Sequence, residues 1–280
     1  MELVNFLLNL LCWFLWAGAF VFPRYAVRSS QPLTLLSTLR SETPRSFSRI
    51  FFLGSLVLLL GLRGAAYWNF SPSNASLPAI DVGLLKVSLQ PDSLSQMACY
   101  SFGSFAVFLY GYYLWVFGLS LTSRLKGRVD SIENLIDQQL GAFAMWHPGL
   151  KVALVGLVGG LLWVGLGFVL ISLGALPENW NGWVLVAQSP VVAAAFWLRF
   201  LILVMLIIGV HFINSYVYLG EKPLWAYVDQ TAKTYLTPFR KLPLLVVRFD
   251  VAPLLGGLVY WGLFCLGDWG LRLVFERLSG

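Results

Sequence analysis

Six long stretches of this chain are almost empty of charge, and that limits its fold more than any motif does. Residues 3–22, 50–68, 98–121, 152–174, 191–218 and 251–267 hold only two charged side chains, Arg63 and Arg199. Each stretch can cross about 30 Å of hydrocarbon at roughly 1.5 Å per residue, the last one barely. Runs of this length satisfy their backbone in lipid as helices. The expected fold is an all-α integral membrane protein with about six transmembrane helices. Composition excludes the alternatives. Hydrophobic residues make up 58% and charged residues 11%, against about 25% charge in a soluble domain. A disordered chain needs the opposite balance.

The charges outside the spans map orientation. Connections 23–49, 122–151 and 219–250 carry five, four and five Lys or Arg, whereas the rest of the chain outside the spans carries three. The positive-inside rule places these three connections in the cytoplasm and both termini outside, which arranges the spans as three hairpins. The net charge of +6 then reads as topology and attraction to anionic headgroups, with no nucleic-acid contact implied. Ala17-Gly18-Ala19 imitates a cleavage site, but no basic residue precedes the first span, so it is expected to stay uncleaved. The connection at 69–97, rich in Ser and Pro, is expected to be an exposed outer loop. Cys12, Cys99 and Cys265 have no paired spacing and read as small apolar residues.

Two inner connections have helical apolar spacing. Ile132, Leu135, Ile136, Leu140 and Phe143 mark one, and Leu224, Trp225, Val228, Ala232 and Tyr235 the other. Both are expected to be amphipathic helices on the cytoplasmic side, lying along the membrane surface or capping the bundle from below. Leu135-Ile136-Asp137-Gln138 returns as Tyr227-Val228-Asp229-Gln230, and Val158-Gly159-Gly160 parallels Leu255-Gly256-Gly257. The pattern is an internal duplication that begins outside in both copies.

The stretch KPLWAYVDQTAKTYLTPFRKLPLLVVRFDVAP, 222–253, resembles the YggT (YlmG) family of small bacterial and plastid membrane proteins. The positions that carry the likeness are Pro238, Arg240, Lys241 and Pro243, then Asp250 and Pro253 at the last span. Val251-Ala252 replaces the family's Phe-Ser, and Val210-His211 stands where an arginine is usual. The resemblance divides the chain into an N-terminal hairpin with its outer loop (1–97), a weak first repeat (98–176), a second repeat (191–267) and a C-terminal tail (268–280). It implies a non-enzymatic scaffold or assembly factor in the bacterial plasma membrane, serving envelope organisation, cell division or membrane-complex assembly. It implies no cofactor, and it implies other membrane proteins or further copies of the chain as partners. Physics suggests a simpler role for the same residues. Arg240 and Lys241 anchor to headgroups, Pro238 and Pro243 end the surface helix, and Asp250 with Pro253 starts the next one.

Intramembrane polar residues are the other candidates. A charge in mid-bilayer costs about 2.5–3.5 kcal/mol on insertion scales and usually faces a partner or cavity. Arg199 either snorkels beside Trp197 or joins Arg63 and Asp268 in an outer-leaflet cluster. His211 suits an interhelical hydrogen bond. A small-solute or ion transporter or channel using Arg199 and His211 is the alternative function. No metal set is legible, since His147 is the only other histidine. Gly156, Gly160, Gly256 and Gly257 offer close helix contacts.

Overall fold

The computed structural model describes residues 2–20, 45–70, 79–87, 89, 93–123, 131–177, 180–217, 223–239, 245–246 and 249–279. Its helices are α1 (Glu2–Phe20), α2 (Arg45–Phe70), α3 (Leu94–Ser123), α4 (Ser131–Leu140), α5 (Pro148–Ser172), α6 (Gly182–Leu198), α7 (Phe200–Tyr216), α8 (Pro223–Leu236) and α9 (Ala252–Ser279). A 3-10 turn, Gly141–Met145, follows α4. Six segments are long and apolar enough to cross a membrane: α1, α2, α3, α5, α6 with α7 as one run, and α9. The described strands form two antiparallel ladders, β1 (Ile80–Asp81) with β2 (Lys86–Val87), and β3 (Leu245–Val246) with β4 (Phe249–Asp250).

The chain divides into two compact units, residues 1–110 with 168–178, and residues 111–167 with 179–280. In the first, α1 packs along α2. Cys12, Leu56, Leu60 and Phe105 are buried together, with Leu15, Trp16 and Leu53 around them. Gly64 allows a close approach: a Cβ there would lie 3.2 Å from the Ala98 Cα. Beside it the Ser101 hydroxyl donates to the Leu60 carbonyl at 2.7 Å. The outer connection differs from the expected exposed loop. Its described part turns tightly at Gly83, whose φ of 87° suits glycine, and whose N–H donates to Asp81 Oδ1 at 3.1 Å. Ile80, Val82, Leu84, Val87 and Leu89 are all buried. Alternating apolar residues made a tuck that the Ser/Pro content concealed.

In the second unit, α9 packs along both α6 and α7, and α8 turns back along α7. Leu203 and Ile207 pack on Ala232, and Val204 and Ile208 on Leu236. One span boundary needs correction. The fifth apolar run starts at Gly182, not at residue 191. The Asn181 side chain caps it by accepting the Val184 N–H at 3.1 Å, and Pro190 is accommodated inside the helix. The last helix, α9, continues past residue 267 to Ser279. Phe275 is buried there against Trp163 and Trp180, with ring centroids 5.8 and 6.0 Å away.

Candidate functional site

The expected candidates separate into several environments. Asp229 lies on α8, where Tyr227, Thr231, Ala232 and Leu236 form the buried side. One turn of spacing brings Asp229 to the flank of that face, opposite His211 near the end of α7. His211 Nδ1 is 2.6 Å from Asp229 Oδ1. The second oxygen, Oδ2, is bound by the Lys233 ammonium one turn further along α8. His211 is buried, and this carboxylate on the neighbouring helix lies within ion-pair distance of it. Burial works to raise the Asp229 pKa. The Lys233 hydrogen bond and charge, followed by those of His211, outweigh it and hold the carboxyl below its ordinary value. The group therefore stays ionised and keeps both contacts.

Around this pair the helices are joined by neutral bonds. The Tyr235 and Thr122 hydroxyls meet, and Tyr260 donates to the Tyr235 carbonyl at 3.0 Å. Gly256 lies against Leu236, so that a Cβ would fall 2.5 Å from a leucine methyl, and Gly160 lies against Ser189 at 3.3 Å. Gly156 and Gly257 face open space instead. The close contacts anticipated for the glycines are thus made by one member of each pair.

Arg63 is 3% exposed and turns inward. Its Nη1 donates to Asn9 Oδ1 at 2.7 Å and its Nη2 to Asn5 Oδ1 at 3.2 Å. The guanidinium carbon lies 5.6 Å and 5.5 Å from the ring centroids of Tyr67 and Tyr100, within cation–π range. Asp268 pairs with Arg272, at 2.7 Å along its own helix. Arg199 stands at the junction of α6 and α7, in the middle of a 35-residue helical run rather than eight residues into a span. Its backbone is helical, and its N–H reaches the carbonyls of Ala195 and Phe196 at 3.2 and 3.1 Å.

Asp137 is exposed on α4, and Pro238 is exposed in the turn after α8. Pro253 is buried in the first turn of α9, and the Asp250 backbone pairs with Leu245 in the short ladder. Arg240, Lys241 and Pro243 lie outside the described residues.

Sequence reasoning missed Asn5, Asn9 and Lys151. The asparagines are four apart within an apolar run, a spacing that places both on one helix face. Lys151 was counted with the basic connection, yet it is fully buried in the first turn of α5, and its Nζ donates to Ser120 Oγ at 2.6 Å. Comparison with family models, curated proteins and solved structures gave no match.

Proposed function

We propose that this chain is an integral membrane protein acting as a non-enzymatic scaffold or assembly factor, the role implied by its YggT-like segment. The observation that carries the reading is the placement of α8. Its inner side is occupied by α7, while Pro223, Leu224, Ala226 and Lys233 remain exposed. It also touches α4, so the two connecting helices form one cap. A run of 35 residues measures about 52 Å as a helix, well beyond about 30 Å of hydrocarbon. One end of α6–α7 then stands clear of the hydrocarbon, and α8 covers it there.

On this reading the spans form three hairpins in a bacterial plasma membrane, with both termini outside. The basic connections and their amphipathic helices face anionic lipid in the cytoplasm, and the cap docks other membrane proteins or a second copy. Crosslinked pull-down from native membranes tests it, using Arg240→Glu with Lys241→Glu. Loss of the co-purifying proteins is expected, and unchanged recovery would count against the scaffold. The transport reading uses Arg199 and His211, and the His211–Asp229 pair is the observation in its favour. Solute flux into liposomes that disappears in His211→Leu would replace the scaffold with a carrier.

A further inference from the structure

Arg63 is a buried cation whose contacts among the described residues are all neutral. Its hydrogen bonds go to the amide oxygens of Asn5 and Asn9, and its faces meet Tyr67 and Tyr100. Spans 3–22, 50–68 and 98–121 contain no Asp or Glu, and the one acidic residue in α1, α2 and α3 is Glu2 at the very start of α1. Two donors in the cluster are buried and find no acceptor among the described residues, Arg63 Nε and Asn5 Nδ2. Asn5 is itself 6% exposed. We propose that this cluster is a binding site for a phosphate-type oxyanion, presented by an acidic phospholipid headgroup or free in solution.

The chemistry follows from what the cluster lacks. Buried N–H groups without acceptors are costly, and a charge in low dielectric needs an opposite charge. An oxyanion supplies both at once, because its oxygens accept from the guanidinium edge and from the asparagine amide while its charge balances Arg63. Position supports the same ligand. Asn5 lies three residues after the start of α1, Arg63 seven before the end of α2, and Tyr100 six after the start of α3. All therefore lie within about 10 Å of one end of the three helices, a depth that a neighbouring headgroup phosphate reaches. Tyr67 is the half-buried member, and its hydroxyl donates to Asn5 Oδ1. The anion enters beside this ring and takes over that hydroxyl.

The inference does not rest on the scaffold reading, since it concerns an intrinsic site of the full chain. The test is thermal unfolding of purified protein in nonionic detergent at constant ionic strength. Phosphatidylglycerol, phosphatidylcholine and inorganic phosphate are titrated separately. A saturable rise in melting temperature is expected with phosphatidylglycerol or with phosphate. Response to the first alone identifies a headgroup, and response to the second identifies a free anion. Arg63→Gln should weaken that response by about tenfold or more, as expected for a charge-assisted bond. Asn5→Asp places a carboxylate beside the guanidinium. It should raise the melting temperature without ligand and abolish the response, which keeps the test decisive if Arg63→Gln fails to fold. The proposal is overturned by no response to either anion, as when a partner's carboxylate fills the site. It also falls if the response persists in Arg63→Gln, or if Asn5→Asp leaves both stability and response unchanged.

Discussion

The two units hold a buried polar cluster in different ways. In the second unit, His211 meets the Asp229 carboxylate, which also holds Lys233. In the first, Arg63 is met by two amide oxygens and two aromatic faces, with no carboxylate among the described residues. The difference teaches what each cluster can be for. Removing one member of an ion pair strands the other, so the pair acts as a fastener between α7 and α8. A cation solvated by neutral groups keeps its field, and its loss strands no opposite charge.

The largest expected effect breaks the fastener. Asp229→Leu should destabilise the protein by about 2 kcal/mol, a figure reduced for the partial exposure of Asp229. Chemical unfolding in detergent would read it, and His211→Leu added to Asp229→Leu should recover part of the loss. If the double variant is no better than the single, His211 is not the partner that matters. Arg63→Met should cost less, about 1 kcal/mol, because only neutral acceptors lose a donor. Equal losses for Asp229→Leu and Arg63→Met would erase the contrast between the clusters.

Packing provides the next comparison. Gly256→Ala puts a methyl 2.5 Å from Leu236, which is fully buried. It should cost about 1 kcal/mol by overpacking. Its neighbour Gly257 faces open space, so Gly257→Ala should stabilise by up to about 1 kcal/mol through helix propensity. Melting curves for the two alanine variants should therefore move in opposite directions. A shift in the same direction would mean that α8 does not press on α9 at Gly256.

The smallest effect is in the pH profile. The Asp229 carboxyl is held below its ordinary value of 3.8. A depressed folded value contributes stability that is complete above the unfolded value and lost as pH falls through the folded one. The advantage of the wild type over Asp229→Asn should accordingly shrink as pH drops below 3.8. An advantage that shrinks only at higher pH would assign the titration to another group.

The duplicated tetrapeptide shows how far sequence alone reaches. Asp137 and Asp229 occupy the same place in the repeat, and among their local neighbours the difference that matters is Lys233 four residues after Asp229, where the first copy has Gly141. In the structure Asp137 is exposed, whereas Asp229 is bound by His211 and Lys233. Ninety-two residues before His211, the spacing of the repeat, stands Leu119, which offers no hydrogen bond. The partner was visible as a letter, but the pairing was not, because it depends on α8 turning back along α7. Arg63 was equally legible as an oddity. Its direction was not, since Asn5 and Asn9 lie more than fifty positions away along the chain.

What the sequence determined by itself was the helical class and the existence of six long apolar helices. Those properties follow from local hydropathy, because a charge-free run leaves its backbone no partner except itself. The helix at 223–236 was legible for a similar reason, through apolar spacing and a proline at its start. Tertiary structure decided the rest. It extended the fifth run back to Gly182 and carried α9 through Asp268 to Ser279. There an Asp–Arg pair one turn apart and the burial of Phe275 sustain a helix that charge had seemed to end. It also chose which polar side chains meet. Hydrogen bonds between helices depend on register and on the turn of each helix about its axis, and neither is written in the hydropathy of a single segment.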